Sequence, residues 1–249
     1  MGRGRVPWSL RVFLILLLWM SLGSEALAQG FVEIDLAVVS QAKSSATQGN
    51  TNLYSSVAGR GGLLLGFAGA QSRMAFVLGG GADFASFKAL SVGGASLSET
   101  LPWGLCGFQL QLKRTEIRLR GGLRQVGLII GGAAAALTVV TAPVAAGSLT
   151  WYALRGLGHD IYLKAEGEYF LPAGQSTRLT SGLALNGEVG IDFRFSGVPF
   201  AGFASYRFVN LSATTGTQAE GLLAFGLRIY IEAGLNAGGK PKVRHMLEN

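Results

Sequence analysis

The sequence offers few groups that could carry out acid–base or nucleophilic chemistry. Glu166 and Glu168 are two positions apart, and the 249-residue chain has two histidines, His159 and His245. Two carboxylates at this spacing on a strand share one face, which would suit acid–base work or a cation site but favours ion pairs with nearby arginines. His159 falls in an expected turn and His245 near the C-terminus, and no HExxH, CxxC, GxSxG or Walker pattern occurs. We therefore expect no catalytic, metal-binding or cofactor-binding residues, and no enzyme.

Most charged residues lie in segments where apolar and polar side chains alternate. The clearest is Ser181 to Phe195, with leucine, valine, isoleucine and phenylalanine at most odd positions and asparagine, glutamate, aspartate and arginine at several even ones. A period of two is that of a β-strand with one apolar and one polar face. At about 3.3 Å per residue, such a segment reaches about 50 Å, enough to cross a bilayer even when tilted.

The same alternation returns in ten segments. We expect eight strands at about Phe31–Val39, Leu53–Phe67, Arg73–Phe87, Leu101–Lys113, Asp160–Phe170, Ser181–Phe195, Phe200–Leu211 and Glu220–Ala233. Between the fourth and the seventh strand, strand five begins near Glu116 and strand six ends near Trp151–Arg155. Leu128 to Gly147 is ambiguous because no charged residue fixes its register; it could extend two strands, form an extra hairpin or fold over one mouth. The pattern predicts an all-β, antiparallel up-and-down transmembrane barrel of about ten strands, or eight if weak strands merge, or twelve with the extra hairpin.

The N-terminus has the features of a targeting segment. Arginines precede an apolar run from Val12 to Leu22, and Ala26-Leu27-Ala28 is a small-residue cleavage site. We predict a signal peptide at 1–28, a transmembrane barrel at 29–233 and a basic periplasmic tail at 234–249. A retained N-terminal anchor helix is the alternative.

Composition agrees with a membrane-spanning barrel. Charged residues make up 14% of the chain and hydrophobic ones 49%, whereas soluble domains have about 25% charged residues. The net charge of +7 does not indicate nucleic-acid binding, because basic residues alternate with acidic ones and form no patch. The single cysteine, Cys106, excludes an intrachain disulfide, and we expect a small buried apolar residue there.

The polar faces of the strands bring many charges into the expected lumen. They are Glu33, Asp35, Arg60, Arg73, Asp83, Glu116, Arg118, Arg120, Arg124, Lys164, Glu166, Glu168, Glu188, Asp192, Arg194, Arg207, Glu220, Arg228 and Glu232. Nine are basic and ten acidic, a balance that predicts an interior filled by ion pairs. Open channels need about 16 strands, so a narrow conducting path is the second hypothesis. A soluble lipocalin-like barrel, with an apolar lumen and charged exterior, is the third.

The connections between the expected strands alternate in length. Those after strands one, three, seven and nine are longer and polar, and those after two, four, six and eight are tight. Outer-membrane barrels have long external loops and short periplasmic turns, so both termini are expected in the periplasm. Aromatic residues near strand ends, such as Trp103, Trp151 and Tyr162, are expected to form an interfacial girdle.

Taken together, the mature chain resembles the small outer-membrane β-barrel proteins of Gram-negative bacteria. The resemblance rests on the signal peptide, the loop alternation and strands such as LALNGEVGIDFRF and GLLAFGLRIYIEA. It implies a location in the outer membrane, with outer-membrane lipids, lipopolysaccharide and the barrel-assembly machinery as partners. It also implies a structural or surface-interaction role, with external loops Ser40–Thr51, Lys88–Thr100 and Leu128–Gly147 as the expected interaction sites for an extracellular ligand.

Overall fold

The chain forms a closed barrel of ten antiparallel strands. The computed structural model describes residues 29–46, 51–68, 72–89, 96–130, 136–155, 159–174, 179–195 and 198–234. The strands are β1 (Gln29–Ala46), β2 (Thr51–Ala68), β3 (Met74–Ala89), β4 (Ser96–Gln111), β5 (Thr115–Ile130), β6 (Ala136–Arg155), β7 (His159–Phe170), β8 (Leu179–Phe195), β9 (Val198–Ala213) and β10 (Gly216–Gly234). Each pairs with its neighbours in the sequence, and β1 closes against β10. The predicted ten-stranded barrel is confirmed.

Two terminal predictions fall outside the described residues, namely the signal peptide at 1–28 and the tail after residue 234. Across the described part of the chain, no helix has the length and apolar character needed to span a bilayer.

The two ends of the barrel differ in the segments that they carry. We call one the turn end, where connections 69–73, 112–114, 156–158 and 196–197 lie and where Gln29 pairs with Gly234. The other, the loop end, carries connections 47–50, 90–95, 131–135, 171–178 and 214–215. The chain therefore enters and leaves the barrel at the same end, as an even number of strands requires.

Strands run further toward the loop end than the polar character of these segments predicts. Residues 40–46 continue β1, and the predicted loop Lys88–Thr100 contains the end of β3 and the start of β4. Between the expected strands that end at Leu211 and begin at Glu220, the connection is a two-residue turn at 214–215, followed by Gly216 with a φ of 131°. Backbone pairing with the neighbouring strands holds these segments extended, and it does not depend on side-chain hydrophobicity.

Leu128 to Gly147, which the sequence left ambiguous, belongs to a single long hairpin. It supplies the end of β5, the connection 131–135 and the first part of β6, with Leu128 paired to Thr138 and Leu119 to Gly147. The alternatives of an additional hairpin and of an apolar loop over the mouth are therefore wrong.

Every strand contributes large apolar side chains to the outer surface. One example from each strand is exposed: Leu36, Leu63, Leu78, Phe108, Leu119, Leu149, Leu163, Leu185, Tyr206 and Phe225. These residues surround the barrel as a continuous apolar belt, whereas soluble proteins rarely expose apolar patches beyond a few hundred Å². Most of the charges predicted for the inner face lie there, so the lipocalin-like alternative, with an apolar lumen and charged exterior, is contradicted.

Two predictions about individual side chains are wrong. Cys106 is exposed on the outer face rather than buried, because the apolar phase of β4 points away from the lumen. Trp103 and Tyr162 point into the lumen instead of forming an outer girdle, and Tyr162 is 1% exposed. Trp151 is exposed at the outer surface as expected.

The lumen divides into two parts along its axis. In the turn half, charged side chains such as Glu33 and Arg118 lie close to the turn end of their strands. In the loop half, a buried apolar cluster covers much of the inner wall, formed by Val126, Leu128, Val140, Ala142, Val144, Phe170, Leu179, Val209 and Leu211 among others. The charged and apolar parts meet near the middle of the barrel.

Candidate functional site

The first group of lumen ion pairs is centred on Arg118 of β5. Its guanidinium donates hydrogen bonds of 3.2 and 2.7 Å to the two carboxylate oxygens of Glu33 on β1. Its Nε also lies 2.6 Å from Oε1 of Glu116, whose second oxygen accepts a 3.3 Å hydrogen bond from Gln109. All four side chains are buried, so this group joins one wall of the barrel to the other away from solvent.

Arg228 of β10 forms the second group and shares Glu33 with the first. Its Nη1 donates a 2.8 Å hydrogen bond to Glu188 on β8, and its Nε lies 3.3 Å from Oε1 of Glu33 and also pairs with Asp35. The Tyr162 hydroxyl on β7 donates a 2.7 Å hydrogen bond to the same Glu188 oxygen. The first two groups are therefore one connected network that reaches β1, β4, β5, β7, β8 and β10.

The third group lies nearer the middle of the lumen and is centred on Asp83 of β3. Three arginines surround it: Arg124 pairs with Oδ2, Arg207 Nη1 lies 3.0 Å from Oδ2, and Arg60 Nε lies 3.5 Å from Oδ1. Arg124 and Arg207 also bind the two oxygens of Glu168, at 2.9 and 2.7 Å. Three positive charges thus face two negative ones across β2, β3, β5, β7 and β9.

A fourth group involves Glu166 of β7. Its carboxylate pairs with Arg120 of β5, and its Oε2 lies 3.6 Å from Nζ of Lys164. Charges in a poorly hydrated interior are tolerated when paired and hydrogen-bonded, and each of these side chains is less than a tenth exposed. Glu166 and Glu168 therefore serve ion pairs in the structure, which is what their spacing favoured.

An aromatic ring supports the Asp83 group. The guanidinium carbons of Arg60 and Arg124 lie 5.9 and 5.8 Å from the centroid of the Trp103 ring, within cation–π range. The ring occupies space left by Gly62 and Gly81, where an added Cβ would approach it to 2.8 and 2.7 Å. Glycine at both positions lets an indole lie against the barrel wall beneath the arginines.

The structure brings most of the predicted lumen residues together. Those in ion pairs are Glu33, Asp35, Arg60, Asp83, Glu116, Arg118, Arg120, Arg124, Lys164, Glu166, Glu168, Glu188, Arg207 and Arg228. Asp192 is half-buried, and Glu220 accepts a 2.5 Å hydrogen bond from Gln218. Arg73 differs from the prediction: it is exposed in the bend before β3 and does not enter the lumen. Arg194 and Glu232 are outside the residues whose side chains are described.

A cavity lies above these ion pairs, in the loop half. It has a volume of about 100 Å³. Its floor includes the Asp83 group, and its wall includes Val126, Phe170, Val209 and Leu211. A small compartment with an apolar wall and a charged floor is therefore present in the lumen.

Sequence reasoning missed several lumen residues. Glu99 was assigned to a loop, yet it lies on β4, is 8% exposed and lines the cavity. Gln109 and Trp103 lie on the same face of β4 as Glu99, the face that points into the lumen. Continuing that alternation past Leu101 would have found Glu99, but the polar run of serines around it indicated a loop instead.

The ion pairs connect strands that are far apart around the barrel wall. Apart from Glu99, the buried carboxylates face guanidinium or ammonium groups, so they are engaged as ion-pair partners. Within the described ranges, no group of three or more histidine, cysteine, aspartate or glutamate residues could hold a metal ion. His159 is exposed at the start of β7, and His245 lies outside the described residues.

Comparison with solved structures returns other barrels at low sequence identity. The chain is similar to the translocator domain of autotransporter NalP from Neisseria meningitidis, with 13% identity, 89% of this chain and 95% of that chain covered, and a TM-score of 0.42. It is also similar to the beta domain of the Bordetella autotransporter BrkA, with 13% identity, 82% of this chain and 98% of that chain covered, and a TM-score of 0.43. For Neisserial surface protein A the identity is 13%, the coverage is 80% of this chain and 96% of that chain, and the TM-score is 0.35. No protein-family model matches the sequence, and no curated protein matches it significantly. At these identities the likenesses assign no function.

Proposed function

We propose that this chain is a non-enzymatic β-barrel protein of the Gram-negative outer membrane, with a structural or surface-interaction role and a lumen closed by ion pairs. The observation that carries the proposal is the set of charge pairs that join opposite walls, such as Arg118 to Glu33 and Arg207 to Asp83. A barrel of about ten strands has an interior that its own side chains can largely fill, and paired charges fill this one.

The apolar belt supports a location in a membrane. A closed barrel satisfies every backbone group of its strands by pairing, which makes it one of the two structures that can span hydrocarbon. The belt is present on all ten strands, for example at Leu36, Leu119, Leu185 and Leu227, which are 50–65% exposed. Contact with lipid tails accounts for this exposure, and the paired charges are then shielded inside.

The connections at the loop end are the candidate surface for partners. They belong to the same end as the serine-rich and glycine-rich segments of the sequence, and the described chain enters and leaves the barrel at the turn end. We propose that the turn end faces the periplasm and that the loop end meets lipopolysaccharide and any extracellular ligand. Assembly would use the machinery that inserts outer-membrane barrels.

A second candidate function is a narrow channel for small or hydrophobic solutes. The cavity in the loop half favours it, because an entry compartment of about 100 Å³ already exists above the Asp83 group. For conduction, however, a solute would have to pass Arg124, Arg207 and Arg118. These arginine side chains are buried and paired with the carboxylates of Glu168 and Glu33.

Planar-bilayer recording separates the two candidates. Purified, refolded protein is added to a lipid bilayer under 1 M KCl, and insertion is checked by heat-modifiable mobility of the same preparation on a gel. A sealed lumen predicts no steady unitary openings in the wild type. Removing two central guanidinium groups, in Arg124→Ala/Arg207→Ala, is expected to produce small openings. Steady openings of the unaltered barrel would favour the channel instead.

A further inference from the structure

The Asp83 group at the floor of the cavity contains one more cation than its carboxylates neutralise. Three arginines share two carboxylates there, namely Arg60, Arg124 and Arg207 against Asp83 and Glu168. Like charges held close together in a poorly hydrated interior repel one another strongly. The floor of the cavity therefore has a surplus of positive charge, which a bound anion would offset.

The other carboxylates near this group have cations of their own. Glu166 pairs with Lys164, and Asp35 pairs with Arg228. Among the described residues, neither carboxylate lies within ion-pair distance of Arg60, whose one ion-pair contact is with Asp83. The third arginine of the Asp83 group is therefore not neutralised by a neighbouring group.

Arg60 is the arginine of this group that has donors to spare. Its Nε lies 3.5 Å from Oδ1 of Asp83, and that oxygen has no hydrogen-bond partner, so the contact is a loose ion pair. Arg124 and Arg207, in contrast, each donate hydrogen bonds to both Asp83 and Glu168. The Arg60 side chain is 30% exposed and lines the cavity. A guanidinium has five N–H donors in a planar fork that matches a carboxylate.

The cavity wall directly above the arginines is apolar. Ala58, Val126 and Val209 line it, each two positions nearer the loop end than one of the three arginines and therefore on the same inward face. Phe170 and Leu211 add to this wall. The volume of about 100 Å³ is below the roughly 150 Å³ of an engineered cavity that binds benzene, so a ligand of a few heavy atoms fits.

Glu99 lines the same cavity without adding a full negative charge to it. It lies nine positions nearer the loop end than Phe108, the large apolar side chain that β4 exposes in the outer belt. Burial, with repulsion by Glu220 and Asp83, raises the pKa of Glu99 to about 8. Its carboxyl is therefore mostly neutral at pH 7. Glu220 is engaged by a hydrogen bond from Gln218.

We propose that this cavity binds a small carboxylate on a short alkyl chain, with Arg60 as the cation that holds it. The two carboxylate oxygens accept charge-assisted hydrogen bonds from the Arg60 guanidinium, and the negative charge offsets the surplus of the Asp83 group. The alkyl chain lies against Val126 and Val209. This inference goes beyond the proposed structural role, and it does not depend on whether the barrel conducts or on which end faces outward.

Isothermal titration of the full refolded barrel in a non-ionic detergent at pH 7 and constant ionic strength tests the proposal. The probes are sodium butyrate, n-butylammonium chloride, butan-1-ol and sodium phosphate, each also titrated into protein-free micelles. We expect saturable one-to-one binding of butyrate and at least tenfold weaker binding of the other three. Arg60→Gln should weaken butyrate binding at least tenfold. Arg73→Gln, which removes an exposed arginine before β3, should leave it unchanged.

The Arg60→Gln variant is expected to fold, because Asp83 keeps its ion pairs with Arg124 and Arg207. If heat-modifiable mobility shows that it does not, Ala224→Phe provides a second test, since it fills the cavity without removing a charge and should abolish saturable binding. The proposal is overturned if folded wild-type protein does not bind butyrate, or if n-butylammonium, butan-1-ol or phosphate binds as tightly. It is equally overturned if a folded Arg60→Gln or Ala224→Phe variant binds butyrate as the wild type does.

Discussion

Arg118 on β5 and Glu33 on β1 are 85 residues apart in the sequence and meet inside the barrel, joined by hydrogen bonds of 3.2 and 2.7 Å. Their strands are separated around the wall by β2, β3 and β4, so the pair bridges the lumen. A bidentate arginine–carboxylate pair is the strongest ion-pair geometry that side chains offer. Closure of the sheet is what brings the two groups together.

Breaking this pair should destabilise the barrel. Arg118→Met leaves the carboxylates of Glu33 and Glu116 with one cation fewer in a buried site, and we expect a loss of about 3–5 kcal/mol in the free energy of unfolding. The double variant Arg118→Met/Glu116→Gln should recover part of it, because Glu116 loses its ion-pair partner in Arg118, whereas Glu33 still pairs with Arg228. Urea titration of barrels refolded in lipid vesicles measures both.

The control for this series is Arg114→Met. Arg114 is exposed in the connection between β4 and β5, so the same chemical change should alter the unfolding free energy by less than about 0.5 kcal/mol. Equal losses at Arg118 and Arg114 would show that the buried pair has no special contribution.

The facing of the strands could be predicted from the sequence, but the partners of the charges could not. Alternation places Leu185 and Glu188 on opposite faces because the side-chain period of a strand is two, and the membrane-barrel interpretation then puts Leu185 outside. Whether Glu188 then meets Arg228 or Arg194 depends on how far the closed sheet is staggered, and a local pattern does not contain that information. The structure selects Arg228, from a strand two places away.

Removing the Asp83 carboxylate should make the stability of the barrel increase with salt concentration. Asp83→Asn leaves Arg60, Arg124 and Arg207 close together with Glu168 as their main counter-charge, so like-charge repulsion should destabilise the variant. Raising NaCl from 50 to 500 mM should restore part of its stability, since salt screens that repulsion. Unfolding at both salt concentrations measures the effect. A variant that responds to salt as the wild type does would contradict it.

Adjacent positions on β8 should respond in opposite ways to a new charge. Leu185 is 50% exposed in the apolar belt, and Leu185→Arg should cost about 2–4 kcal/mol if that surface meets the bilayer midplane. Asn186 faces the lumen beside Glu166, so Asn186→Arg should be milder. Refolding yield and urea unfolding in vesicles compare them. Similar losses at both positions would mean that the assigned facing is incorrect.

Two glycines on neighbouring strands offer a test of packing around Trp103. A Cβ at Gly81 would overlap the Gly61 carbonyl oxygen and lie 2.7 Å from the Trp103 ring, so Gly81→Ala should cost about 1–3 kcal/mol. A Cβ at Gly104 meets nothing within 4 Å, which makes Gly104→Ala the matched control with little expected effect. Unfolding curves of the two variants measure the cost of filling the space between the Gly61 backbone and the Trp103 ring.

The loop half was the part that sequence reasoning handled least well. Leu128 to Gly147 has apolar residues on both faces, because Leu128, Val140 and Val144 line the lumen while Val139 and Ala145 are exposed outside. Without alternation a register cannot be assigned. The opposite problem affected residues 40–46 and 96–100, whose polar side chains indicated loops although backbone pairing keeps them in strands.

The central claim is that hydrocarbon surrounds the outer face while paired charges fill the inside, and the single native cysteine allows a direct test. Cys106 lies on the outer face of β4 and is exposed, so it can carry a small environment-sensitive fluorophore without any mutation. In vesicles, we expect strong quenching by lipids with nitroxide-labelled acyl chains and little quenching by aqueous iodide. Strong iodide quenching without quenching by the labelled lipids would contradict the account.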